Sequence, residues 1–245
     1  MTRQVQILPT IPKLTEAATD RTIQILKDAI AQNGIATIAL SGGSTPKPLY
    51  QALVLADIDW SRLHIFWGDE RYVSNDHAES NEKMARQAWL SHVPLPSENI
   101  HPVLTHLADP ADSAQQYEAT IHQICGTTSG NFPAFDLILL GIGDDGHTAS
   151  LFPHTPSLEV HDRLITVGEK SGQTRITFTF PLINQAHNVL FVLAGESKRP
   201  ALKEIFAVNS DFHQYPAFAV RPQGNLIWMM DQAAGEGILG LEGVL

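Results

Sequence analysis

The residues best placed to do chemistry lie in one stretch, Gly141-Ile-Gly-Asp-Asp-Gly-His147. It follows an apolar run from Phe135 to Leu140 that reads as a buried strand. Glycines at a strand end let the backbone approach a ligand closely and tolerate positive φ. A histidine delivered there stands at the carboxyl end of a strand, where open α/β sheets bind ligands. His147 is therefore the leading catalytic candidate among eleven histidines. The letters also match the G-x-G-x-x-G dinucleotide pattern. The match falls deep in the chain, however, and two carboxylates inside the loop would repel a pyrophosphate, so no nicotinamide or flavin site is expected.

Three further loops carry charge or glycine after an apolar run. Ser41, Gly42, Gly43, Ser44 and Thr45 precede a helix start, an arrangement that suits a phosphate through free N–H groups and the positive helix end. It is not a Walker A loop, because the Gly-Lys-Ser/Thr ending is absent. Asp69, Glu70 and Arg71 supply two acids and a guanidinium. Adjoining acids on extended backbone point opposite ways, so one of them at most faces a pocket, while Arg71 suits bidentate phosphate binding. Lys198 and Arg199 open a helix against the trend of its dipole, which an anion nearby would explain. No histidine–carboxylate spacing suits a metal and no Gly-x-Ser-x-Gly elbow is present, so water activated by a general base is favoured over a covalent serine. Neither metal nor cofactor is expected.

The elements between these loops must bring them together. Strands are expected at 5–8, 35–40, 63–67, 100–104, 135–140, 163–167, 175–180, 189–193, 218–220 and 226–230. Helices are expected at 15–33, after Pro46 with Ser44 or Thr45 as cap, and at 81–92, 111–125 and 195–206. Such alternation predicts an α/β fold with a largely parallel sheet, in one domain over residues 1–245, with the strands at 163–180 forming a smaller antiparallel lobe. In a parallel sheet the loops 41–45, 68–71, 141–147 and 195–199 share one edge, so they are expected to converge on one pocket.

Composition sets the bounds. The 245 residues are 43% hydrophobic and carry a net charge of −10, which supports a sizeable core and disfavours nucleic acid or an anionic membrane as partner. The single cysteine, Cys125, rules out an intramolecular disulfide and reads as a small core residue. With no signal-peptide region and no long apolar run, the expected location is the cytoplasm.

Taken together, the motifs resemble those of the 6-phosphogluconolactonases. The resemblance rests on Leu40-Ser-Gly-Gly-Ser-Thr-Pro46, Trp67-Gly-Asp-Glu-Arg-Tyr-Val73, Ser80-Asn-Glu82, Gly141 through Pro153, Gly195-Glu-Ser-Lys198, and Val220-Arg-Pro-Gln-Gly224 with Trp228 and Asp231. It implies a three-layer α/β/α, Rossmann-like fold of the type shared with sugar-phosphate isomerases and CoA transferases. It also implies hydrolysis of 6-phospho-D-glucono-1,5-lactone, with a small sugar-phosphate lactone as the only partner beyond a weak homodimer at most. The glucosamine-6-phosphate deaminases share the fold and are the alternative. They carry a catalytic glutamate where Phe152 stands here and a tyrosine where Arg71 stands, so both departures favour the lactonase. On this reading His147 takes a proton from the attacking water, a task suited to the ordinary pKa of a histidine. Asp145 orients the imidazole or holds a sugar hydroxyl. The 41–45 loop, Asp69, Arg71 and Lys198 hold the substrate, with Arg221 as a further phosphate candidate. Gly143 and Gly146 offer N–H groups to the oxyanion.

Overall fold

In the computed structural model, residues 2–238 are described. The chain runs β1 (Thr2–Leu8), α1 (Ile11–Asn33), β2 (Ala36–Leu40), α2 (Lys47–Leu53), β3 (Leu63–Trp67), β4 (Asp69–Arg71), α3 (Asn81–Ala88), α4 (Pro110–Cys125), β5 (Leu137–Leu140), β6 (Ile165–Lys170), β7 (Gln173–Phe178), α5 (Phe180–Gln185), β8 (Asn188–Leu193), α6 (Arg199–Ile205), β9 (Asn225–Asp231) and α7 (Gln232–Gly235), with short 3-10 turns between. Six strands form a sheet in the order β1-β9-β8-β5-β2-β3, and every neighbouring pair in it is parallel. Strands β4, β7 and β6 form a separate antiparallel sheet. Among the described residues no helix is long and apolar enough to cross a membrane.

The strands of a parallel sheet are covered on both faces, so successive residues must feed two cores. Ile138 and Leu140 of β5 pack in one core with Val189, Phe191 and Leu193 of β8. Leu137 and Leu139 pack in the other with Leu190 and Val192. The first core is closed by α4, α5, α6 and the small sheet, through residues such as Tyr117, Ile183, Leu202 and Phe178. The second is closed by α1, α2 and α3, through Leu26, Leu49 and Ala85. The result is the expected three-layer α/β/α sandwich with a small antiparallel sheet. The two sheets meet at Gly68, whose N–H donates to the Leu40 carbonyl (2.9 Å) and whose carbonyl accepts from Phe178 N–H (2.8 Å).

Two expected strands are absent. Residues 100–104 make only an isolated parallel bridge, Ile65 to Ile100, with His101 N–H donating to the Ile65 carbonyl (2.9 Å). Pro102 has no N–H to continue a ladder. Residues 216–219 form a 3-10 turn between Pro216 and Pro222, with Val220 N–H turned back on the Ala217 carbonyl. Conversely, Asp69–Arg71, expected as loop, is a strand of the small sheet.

Candidate active site

The four loops converge on a cleft of about 390 Å³ at the carboxyl edge of the parallel sheet. It opens beside β2 and β5, the point from which the chain winds outward in both directions, β2 to β3 on one side and β5 to β8 and β9 on the other. Ser41, Gly42, Gly43, Ser44 and Thr45, then Asp69 and Arg71, Gly143 and His147, and Lys198 all line it.

Tyrosines pin the strand ends that deliver these loops. Ser41 N–H donates to the Tyr50 hydroxyl (3.0 Å), which donates back to the Ser41 carbonyl (2.8 Å). Tyr117 does the same for Trp67 at the end of β3 (2.7 and 3.0 Å). Gly195 N–H is held by Asp231 Oδ1 (3.0 Å), which also caps α7 at Ala234.

The loop after β5 is a tight turn closed on itself. Gly143 N–H donates to the His147 carbonyl (2.9 Å) and Gly146 N–H to the Gly143 carbonyl (3.0 Å). A side chain at Gly143 would overlap the His147 ring and the Asp145 carboxylate, and Gly146 sits at φ 79, where Tyr215 also leaves no room. His147 Nδ1 hydrogen-bonds Asp145 Oδ1, which also accepts from His147 N–H (3.2 Å). A carboxylate on Nδ1 keeps the proton there and leaves the Nε2 lone pair for the cleft. Phe152 forms a shelf for the ring, centroid to centroid 4.6 Å. Partial burial by itself would raise the Asp145 carboxyl; the bond and charge of His147, with Lys170 on Oδ2 (3.1 Å), outweigh that and hold it well below the usual carboxylate range. Asp145 thus serves the imidazole and stands behind the cleft wall.

Another part of the lining is cationic. On the antiparallel β4–β7 pair, Arg71 stands directly across from Arg175. Like charges in that register repel, and burial followed by the Arg71 charge lowers the Arg175 guanidinium from its ordinary value. Arg71 is held by the Glu79 carbonyl and Arg175 by Gln173 Oε1 (2.9 Å). Among the described residues neither has a carboxylate within ion-pair distance. An anion between them would relieve the repulsion. The adjoining amides of Gly42, Gly43, Ser44 and Thr45 donate to no protein acceptor among the described residues, so the two features face the cleft together.

Glu70 shows how the wall is fixed. As expected from alternation, Asp69 faces the cleft, accepting from Ser150 Oγ (2.7 Å), while Glu70 is buried. The Glu70 carboxylate accepts from Arg71, Asn81 and Glu82 N–H (2.8, 2.8 and 2.7 Å) and from Ser80 Oγ (3.2 Å), tying β4 to the first turn of α3. Burial pushes this carboxyl up to about 7 against those donors. Asn81, held to the Asp69 carbonyl through Nδ2 (2.9 Å), lines the cleft with its Oδ1 buried and unpartnered.

Several expectations need correction. Gly143 and Gly146 cannot supply oxyanion N–H groups, because both amides are spent inside the turn. Arg221 lies outside the cleft, beside Arg3 on a different surface, with its guanidinium 4.5 Å over the Phe218 ring. The turn that replaces the expected strand at 218–220 directs it there. Arg199 is bound to the Ala233 carbonyl and Glu236 rather than to the cleft. Lys198 reaches it but is neutralised by Asp144 (2.7 Å). Neither Ser44 nor Thr45 caps α2; the chain turns through 44–46 and the cap position is Pro46. Sequence reasoning missed Lys170, Arg175, Asn81 and Ser150, all of which line the cleft. The clue for Arg175 was its place on an alternating strand, which the small lobe had to set against something.

Comparison with known proteins shows the family and agrees with the fold. A sequence model of the family described as glucosamine-6-phosphate isomerases/6-phosphogluconolactonase matches residues 9–228. The chain is 57% identical over 238 residues to a protein of Synechocystis sp. named 6-phosphogluconolactonase, covering 97% of this chain and 99% of that one. It is 54% identical to the Nostoc sp. protein of the same name, covering 96% and 98%. The solved 6-phosphogluconolactonase from Trypanosoma cruzi superposes with a TM-score of 0.83 at 30% identity, covering 97% and 98%. The chain therefore belongs to the glucosamine-6-phosphate isomerase/6-phosphogluconolactonase family.

Proposed function

We propose that this protein is a lactone hydrolase that opens 6-phospho-D-glucono-1,5-lactone to 6-phospho-D-gluconate, the second step of the oxidative pentose phosphate pathway. The observation that carries the reading is a histidine with Nδ1 bound to a carboxylate, in one cleft with two arginines that have no carboxylate partner among the described residues. His147 Nε2 takes a proton from water as its oxygen attacks the lactone carbonyl carbon. Asp145 stabilises the imidazolium that forms. The tetrahedral intermediate collapses by breaking the bond from the carbonyl carbon to the ring oxygen, and His147 returns the proton to that oxygen. Water is consumed and one acid is formed.

Arg71, Arg175 and the amides of residues 42–45 grip the 6-phosphate, with Lys198 adding charge at the rim. Asp69 receives a sugar hydroxyl. Binding energy spent on the phosphate, remote from the reacting carbon, places the carbonyl over the water. Phe152 supports the lactonase over the deaminase reading, since it puts an aromatic shelf under His147 where the resemblance places a deaminase glutamate. The same reading has the chain act without a cofactor, as one domain over 1–245, in the cytoplasm, and as a monomer or weak homodimer. The test is lactone hydrolysis coupled to 6-phosphogluconate dehydrogenase and corrected for the spontaneous rate. A corrected rate of zero with folded protein would overturn it.

A further inference from the structure

Lys170 takes no part in the steps above, yet its ammonium touches both groups that hold the base. Its Nζ lies 3.1 Å from Asp145 Oδ2 and 4.8 Å over the Phe152 ring. Asp145 Oδ1 in turn binds His147 Nδ1, and Phe152 is the shelf beneath that imidazole. Asp145 is partly exposed and sits in a loop, and the His147 contacts hold only its Oδ1. Lys170 supplies a second anchor on Oδ2. The anchor comes from a stiff element: Lys170 ends β6, is paired in register with Gln173 across the hairpin, and precedes a two-residue turn at Ser171 and Gly172, both at positive φ. A phosphate role fits Lys170 less well than Arg71 and Arg175, because its charge is already compensated by Asp145 while theirs have no carboxylate partner among the described residues.

The geometry points to Lys170 as a positioning residue that, through Asp145 and Phe152, sets the His147 ring with Nε2 toward the lactone. This rests on His147 being the base. Asp145 binds that ring and Lys170 binds Asp145; Asp69, Arg71, Arg175 and the Lys198–Asp144 pair lie around the same cleft. Removing the lysine leaves the Asp145 charge free to favour the imidazolium.

The test compares K170M and K170R on the phosphorylated lactone and on unphosphorylated gluconolactone. For K170M, kcat is expected to fall about 10- to 50-fold on both substrates, with KM changed less than about twofold. The acidic limb of the pH–rate profile moves to higher pH, whereas D145N moves it to lower pH. K170R restores most of the rate. In a D145N background K170M adds less than about twofold, because the link it works through is gone. A raised KM confined to the phosphorylated lactone, with kcat kept, would make Lys170 a phosphate ligand and overturn the inference. So would an unshifted pH limb or effects of K170M and D145N that multiply. An H147A control that stays active overturns the reading of the base itself, a failure visible without any change at Lys170.

Discussion

The edge of the parallel sheet and the small antiparallel sheet contribute to the cleft in different currencies. The parallel edge brings backbone: amides at 42–45, a self-closed glycine turn, and one imidazole set by its neighbour two residues before it. The antiparallel sheet brings long cationic side chains, Arg71, Arg175 and Lys170, on strands whose register is fixed by pairing. Parallel strand ends are natural places for tight turns and dipole ends, whereas a hairpin can hold charges at set separations above a site. On the proposed reading the base comes from the parallel edge and the guanidinium grip from the small sheet, while the 42–45 amides and Lys170 each serve the other side.

That division can be broken by experiment. The largest effect belongs to the parallel edge: His147→Ala should lower kcat/KM by about 10²–10⁴, or about 3–5 kcal/mol, on phosphorylated and unphosphorylated lactone alike, with an unchanged melting temperature. Glu70→Ala joins the two regions and should cost about 2–4 kcal/mol in denaturant unfolding, since it strands three backbone donors at the start of α3. Arg175→Ala belongs to the lobe and should raise KM for the phosphorylated lactone about 10- to 100-fold, the worth of a charge-assisted bond, while sparing the unphosphorylated one. Equal losses on both substrates would erase the distinction.

The smallest effect lies outside both regions. His64 Nδ1 and His101 Nε2 share one hydrogen bond (3.0 Å), which requires at least one neutral ring, and burial, then the His64 charge, pushes His101 down to about 4. Between pH 6.5 and about 4 the native state binds fewer protons than the unfolded chain, so this contribution is complete above 6.5 and is lost as pH falls through that window. Melting temperature should drop by a few degrees from pH 7 to 5, and less so in H101Q, with kcat of the folded fraction unaffected by that substitution.

How much of this was legible depended on how local the signal was. The strand–glycine–histidine stretch and the 41–45 loop are contiguous, so their chemistry and their shared edge followed from the α/β alternation. Alternation also allowed at most one of Asp69 and Glu70 into the cleft, and it is Asp69 that lines it. Lys170 and Arg175 were hidden because their relevance depends on β7 pairing with β4, about a hundred residues earlier, which no local pattern encodes. Arg221 misled for a related reason: it stands in a motif of the resemblance, Val220 to Gly224, but a proline-bounded turn sends it elsewhere. The glycine amides misled because a turn can consume the donors that its composition advertises.

The strap at residues 100–101 has a consequence for colloidal behaviour. β3 is the outermost strand of the parallel sheet, and a bare strand edge is a template on which another chain can add. Ile100 and His101 occupy that edge for one bridge, and Pro102 then ends it with a residue unable to extend a ladder. His101 stands on this cover and stacks on His64 of β3, so acid that charges the pair loosens the edge. Protein held near pH 5 should therefore be lost to self-association, detected by light scattering and less so in H101Q, while the molecules still in solution recover their turnover when assayed at pH 7.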